Sequence, residues 1–182
     1  MKRLALLLII LSAAFVCRSQ DNIRLQEAFY DAEYFLMRAD YADALPYYQG
    51  IYAAMPENAS IAFRIGLCYL NIEGSKNLAI EYLEKASKNL TGKYREGSLR
   101  QTEAPYEALF FLGDAYRINY MFEKAKEAYT RYRQTLLPTD VENLMFIDQQ
   151  IAACNNAPVL MATPVKFTIE EVDDILNDVN DN

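Results

Sequence analysis

The chain has 182 residues, with 18 basic against 25 acidic side chains, no histidine, no tryptophan, three cysteines and 13% aromatic residues. The lack of histidine removes the usual general base, the Ser-His-Asp arrangement and most zinc sites. An acidic chain without a basic stripe is a poor match for nucleic acid or an anionic membrane surface, and its length suits one domain with a sizeable core.

Residues 1–19 read apart from the rest. Lys2 and Arg3 precede an apolar run of 13 residues, Leu4 to Val16, too short for an ordinary membrane-spanning helix. A basic start, an apolar stretch and small residues at Cys17 and Ser19 form the pattern of a secretory signal peptide cleaved before Gln20. Acylation of Cys17 as a lipid anchor fits less well, because Phe15 and Val16 are bulky where small residues are expected. Cleavage leaves 15 basic and 25 acidic residues, a net charge of −10. The expectation is an exported, periplasmic protein, with outer-membrane association through a partner or through a lipid on Cys17.

The following 120 residues or so repeat an internal spacing. Ala32 is followed by Phe35 at +3, Ala44 at +12 and Tyr48 at +16, with Pro56 closing a unit over 25–58. Asp40 stands where it would cap the second helix of that unit, and Pro46 should bend that helix. Gly66 is followed by Tyr69 at +3, Ala79 at +13 and Leu83 at +17, over 59–90, with one extra residue in its turn. Thr91 to Ala104 is an insertion with two glycines and only two large apolar residues, Tyr94 and Leu99. It reads as a longer solvated corner, with a binding loop over one edge as the alternative.

A third unit spans 106–138: Gly113 is followed by Tyr116 at +3, Ala125 at +12 and Tyr129 at +16, with Pro138 closing it. Leu109, Leu112, Gly113 and Tyr116 lie on one face of a helix. Small residues at 113 and 125 allow two antiparallel helices to approach, and the rings fill the space beside them. Beyond Pro138, Thr139 and Glu142 match a capping box. Leu144, Ile147, Ile151 and Cys154 then make the apolar stripe of a helix over 140–154, stopped by Asn155 to Pro158. Residues 157–182 read as a linker or acidic tail, extended at first, with six acids in the last 13 residues.

This pattern resembles the tetratricopeptide repeat (TPR), whose W-x2-L-G-x2-Y…A-x3-F…P signature has a period of about 34 residues. Leu109 stands where the signature has Trp. The resemblance implies an all-α fold: a TPR-like right-handed superhelix of three helical hairpins plus a capping helix over 20–156, with the first helix of each hairpin lining a concave groove. On that face Phe29, Phe63 and Phe110 stand three residues before each small residue. Glu33, Leu67 and Asp114 follow one turn on, then Leu36, Leu70 and Arg117. An aromatic ladder with acids at its ends suits a protein or peptide segment with apolar anchors and a basic residue. The same rings read equally well as packing between neighbouring first helices. The TPR subtype that clamps a terminal carboxylate with Lys and Asn is not matched, since Phe, Glu, Leu and Asp stand in place of its basic residues.

No catalytic residue, metal site or cofactor emerges. Cys68 and Cys154 fall on separate helices and read as buried apolar residues rather than a disulfide. Asn58-Ala59-Ser60 and Asn89-Leu90-Thr91 match the glycosylation pattern by chance. Asp178, Asn180 and Asn182 alternate as in a calcium loop but lack its Gly and closing Glu.

The order of export signal, TPR region, Cys154-Asn-Asn-Ala-Pro158 and Pro164-Val-Lys-Phe-Thr-Ile169 resembles the N-terminal part of Bacteroidetes-type envelope proteins. In those, TPR repeats precede a β-propeller and an OmpA-like peptidoglycan-binding domain. That resemblance implies a non-catalytic adaptor of an outer-membrane or secretion-associated assembly, and peptidoglycan binding carries over to no residue here. The alternative is an exported glycan- or ligand-binding accessory protein that stacks sugars on exposed Tyr or Phe rings.

Overall fold

A computed structural model describes residues 20 and 22–163. Helices alternate with short turns: α1 over 22–37, α2 Tyr41–Ala54, α3 Ala59–Asn71, α4 Ala79–Ala86, α5 Glu107–Ile118, α6 Phe122–Arg133 and α7 Val141–Ala162. A 3-10 turn, Lys76–Leu78, leads into α4. Two short strands, β1 Leu90–Thr91 and β2 Ala104–Pro105, pair in parallel. The helices form three hairpins, α1–α2, α3–α4 and α5–α6, with α7 packed on α6.

The repeated spacing has a direct structural cause. Ala39 and Tyr120 adopt φ of 61° and 60° at the ends of α1 and α5. Asp40 N–H then donates to Phe35 O and Met121 N–H to Tyr116 O, both at 2.9 Å. This is the left-handed helix stop in which a bond spans the last turn, and it sets the same +12 offset twice. The second hairpin uses Gly74 at φ 76° and the 3-10 turn, which accommodates its extra residue.

Between helices, Gly113 and Gly66 permit contact that a methyl group would block. A Cβ at 113 would lie 2.4 Å from Tyr129 Cε1, and one at 66 would lie 2.5 Å from Leu83 Cγ. Ala32 takes the equivalent place in the first hairpin and is fully buried. Two apolar clusters result: one joins α1, α2 and α3 around Phe29, Tyr48 and Ile65, and the other runs from α3 to α7 around Leu83, Leu112 and Tyr129.

Several local expectations are corrected. Asp40 is the residue before α2, but its carboxylate accepts from Arg38 Nε at 3.1 Å and caps nothing. The Thr139–Glu142 capping box does not form: Asp140 precedes α7, and its side chain accepts from Asn143 Nδ2 at 2.9 Å. Both aspartates have ψ near 60°, away from the extended backbone from which a side chain reaches back to the first turn. Asn58, with ψ of 100°, does cap α3 by accepting from Ile61 N–H at 3.0 Å.

Helix α7 passes through Pro158 and ends at Ala162 instead of stopping at residues 155–157. Pro158 leaves the carbonyl of Cys154, four residues back, without its N–H donor, and the helix continues for one more exposed turn. Residues 157–162, read from sequence as linker, are therefore helical. The insertion is also more than a solvated corner. Pairing of β1 with β2 closes its base, Ala104 and Pro105 are buried, and Tyr94 and Leu99 turn back onto the helices. Cys68 and Cys154 are free and buried. The signal-like segment, the acidic tail and the calcium-like alternation lie outside the described residues.

Candidate docking groove

The face of α3 that carries Ser60, Phe63, Arg64, Leu67 and Asn71 is built differently at its two ends. At the first end lies a buried guanidinium, Arg64, only 4% exposed in its side chain. Its Nε bonds Glu33 Oε1 and its Nη2 donates to Glu33 Oε2 at 3.3 Å. Its Nη1 donates to Ser60 Oγ at 2.7 Å and to the Tyr94 hydroxyl. The guanidinium also sits 5.2 Å from the centre of the Phe29 ring. Burial alone would lower the Arg64 pKa and is the largest single influence; the bond to Glu33 and the charge interactions with Tyr94, Glu33 and Tyr48 together outweigh it and raise the value, so the charge is firmly held. Glu33 further accepts from Tyr48 OH at 2.6 Å.

This arrangement decides what the expected site residues do. Phe29 is fully buried, roofed by Arg64 and set edge-on to Tyr48 at 6.4 Å. Phe63 is buried against Phe111 at 5.8 Å, and Leu70 is buried with it. These three are packing residues, and the expected ladder of three accessible rings is reduced to one, Phe110. Glu33 and Leu36 are half-buried, and Glu33 is already bonded to Arg64 and Tyr48.

The other end of the groove is open. Leu67 is half-buried and Asn71 exposed. Phe110, half-buried on α5, lies in a nest of rings: Phe111 at 5.4 Å, Tyr132 at 5.7 Å, Tyr129 at 5.8 Å and Phe146 of α7 at 5.9 Å. Phe146 is 48% exposed. Beside the nest, Asp114 accepts from Tyr129 OH at 2.6 Å and from Arg117 Nη2 at 3.3 Å, while Arg117 Nε donates to Tyr129 OH at 3.2 Å.

The acids of the first and third repeats thus share one task. Glu33–Tyr48 and Asp114–Tyr129 are equivalent pairs, each 15 residues apart, in which a carboxylate receives the phenol of the facing helix. The second repeat replaces both partners by apolar residues, Leu67 and Leu83. Burial first, then the carboxylate acceptor, raises the pKa of both phenols well above the usual tyrosine value. Both acids are thus already engaged within the protein, Glu33 through both of its oxygens and Asp114 through Oδ1.

Sequence reasoning missed Arg64, Ser60, Tyr94 and Phe146. Arg64 reads as a solvated charge unless its partners, about 30 residues away in either direction, are known. Tyr94 carried a signal, being the one ring within the insertion. Phe146 lies off the apolar stripe that identified α7.

Burial pushes the Cys68 thiol up to about 12, which leaves it unreactive. Among the described residues no group of three His, Cys, Asp or Glu is placed to hold a metal ion. Two clefts of about 340 and 530 Å³ lie between the second helices, α2 with α4 and α4 with α6, with mixed charge and none of the expected groove residues. Asn58, in one of the two glycosylation patterns, is buried as a helix cap and inaccessible, whereas Asn89 is exposed.

The architecture is that of a TPR-like helical repeat. A similar solved structure is the TPR domain of Sgt2 from Aspergillus fumigatus, with a TM-score of 0.53 at 17% identity over 85% of this chain and 93% of that one. At that identity the likeness shows the fold alone. No protein-family model matches the sequence, and no curated protein matches it.

Proposed function

We propose that this chain is a non-catalytic adaptor that holds a protein or peptide partner against the first helices of its hairpin stack. The observation that carries this reading is the ring nest around Phe110. Its outer member, Phe146, is 48% exposed, and Leu67 of α3 and Arg117 of α5 are half-buried. Partly exposed apolar rings are the anchors that helical or extended segments use when they dock on a helical surface. Because Asp114 is bonded to Tyr129 and Arg117, the partner is read as one with aromatic or aliphatic anchors rather than one led by a basic residue.

The setting we propose is the cell envelope. The basic, apolar and small-residue order of residues 1–19 supports export. The resemblance of the TPR region and its Cys-Asn-Asn-Ala-Pro stretch to Bacteroidetes-type envelope proteins supports an outer-membrane or secretion-associated assembly. Exposed Tyr30 and Tyr34 on α1 favour the second reading, an accessory protein that stacks glycans.

Affinity purification of the tagged chain from an envelope fraction tests the proposal. The expected result is a stoichiometric protein partner that is lost in Phe110→Ala and Phe146→Ala variants of unchanged helicity. Undiminished recovery with those variants contradicts it. Glycan binding by the isolated protein with no partner recovered selects the second reading.

A further inference from the structure

The insertion, residues 91–104, covers the α3 end of the groove. Pairing of β1 with β2 pins its ends, with Ala104 N–H donating to Asn89 O at 2.8 Å. Between those ends Tyr94 OH meets Ser60 Oγ at 3.0 Å and Arg64 Nη1. Thr102 O accepts from Ser60 N–H at 3.2 Å. Leu99 packs on the apolar cluster of α1, α2 and α3. Residues 59–66 of α3 are all buried, whereas Leu67 is half-buried and Asn71 exposed on the same face. The groove is covered beside the insertion and open beyond it.

These are the contacts of a bound peptide. One backbone carbonyl meets an N–H in the first turn of a helix, where it has no partner within the helix. One phenol enters a polar socket, and one aliphatic side chain rests on an apolar floor. Between its pinned ends the segment is held by little else: it carries two glycines, Gly97 at φ 65°, and its central residues Lys93, Arg95, Glu96 and Gly97 are exposed. Few apolar contacts and an exposed backbone are the marks of a unit that opens locally. Lifting it strands no charge, because Arg64 keeps Glu33 and Ser60 Oγ as partners.

We propose that residues 91–104 are a displaceable ligand in cis. They fill the α3 end of the groove in place of a partner segment, and that segment carries a tyrosine followed five residues later by an aliphatic residue, as Tyr94 and Leu99 do. This rests on the groove being a docking surface. A tethered occupant acts at high effective concentration, so a partner binds with its intrinsic affinity reduced by the fraction of time the segment is lifted.

The test uses a fluorescent peptide with the sequence of residues 91–104 and the full chain carrying Tyr94→Ala and Leu99→Ala. The variant is expected to bind the peptide about tenfold or more tightly than the wild-type chain does, and a peptide with the same two substitutions should not bind. Absence of binding to a variant with wild-type helicity overturns the proposal. Should the variant fail to fold, hydrogen exchange in the wild-type chain decides. The amide of Ser60, which donates to Thr102 O, is expected to exchange through an opening well below global unfolding, with the interior of α3 still protected. Exchange of that amide only on global unfolding marks the segment as part of the core and overturns the proposal. The two readings fail separately: loss of partner recovery in Phe110→Ala without peptide binding removes only the cis ligand, and undiminished partner recovery removes the docking groove on which it rests.

Discussion

One absent methyl group decides whether α5 and α6 can meet. Tyr129 is fully buried and its hydroxyl is tied to Asp114, so its ring cannot retreat from a side chain at position 113. Gly113→Ala is therefore expected to cost about 1–3 kcal/mol, measured as a lower urea midpoint. Gly50 offers the contrast, lying inside α2 with nothing within 4 Å of a new Cβ. Gly50→Ala should stabilise by about 0.5–1 kcal/mol in the same titration, because glycine weakens a helix interior. Both small-residue contacts at 66 and 113 were legible in the sequence, since a small residue followed 16 or 17 positions later by a large one is the imprint of a close helix crossing. Arg64 was not legible, because its socket is assembled from α1 and the insertion. Arg64→Met should cost about 3 kcal/mol by leaving the half-buried Glu33 carboxylate with Tyr48 as its sole strong partner. Adding Glu33→Gln should recover part of that loss by removing the uncompensated charge and keeping an acceptor for Tyr48; equal stability of single and double variants would contradict the ion-pair account.

At the scale of elements, paired phenols make stability depend on alkaline pH. Tyr48, Tyr116 and Tyr129 have raised pKa values, through burial first and then through Glu33, Glu84 and Asp114. Their neutral forms are favoured in the folded state, so this stabilisation is complete below the ordinary tyrosine value of 10.0 and is lost as pH rises above it. Cys68, moved from 9.0 to about 12, acts in the same direction and from a lower pH. Urea midpoints are expected to change little through these groups up to about pH 9 and to fall beyond it. Tyr48→Phe combined with Tyr129→Phe should flatten the fall; an unchanged slope would contradict the assignment.

Element order was legible because hydrophobic spacing and the +12 turn offset both follow from helix geometry. Helix ends were less so. Asp40 and Thr139 are good cap residues by type, but the helix stop after Ala39 and the turn before α7 fix backbone angles from which no carboxylate or hydroxyl caps. Pro158 suggested a stop that an exposed helix does not require.

For the whole molecule, the account is a stack of hairpins whose first helices form a groove, closed at α3 by its own insertion and open around Phe110 and Phe146. The sequence placed Phe110, Asp114 and Arg117 together on α5. It could not show that Phe29 and Phe63 would be roofed over, since a ring at helical spacing carries no mark of which side its neighbours cover. Nor could it show that the acids answer to buried tyrosines within their own hairpins. Photo-crosslinking in cells tests the groove most directly, with a benzophenone side chain placed in turn at Leu67 and Phe146, and at Tyr47 and Lys124 on the second helices. The account predicts a discrete protein adduct from positions 67 and 146 and none from 47 and 124. Adducts from the second helices alone, or equally from all four positions, would contradict it.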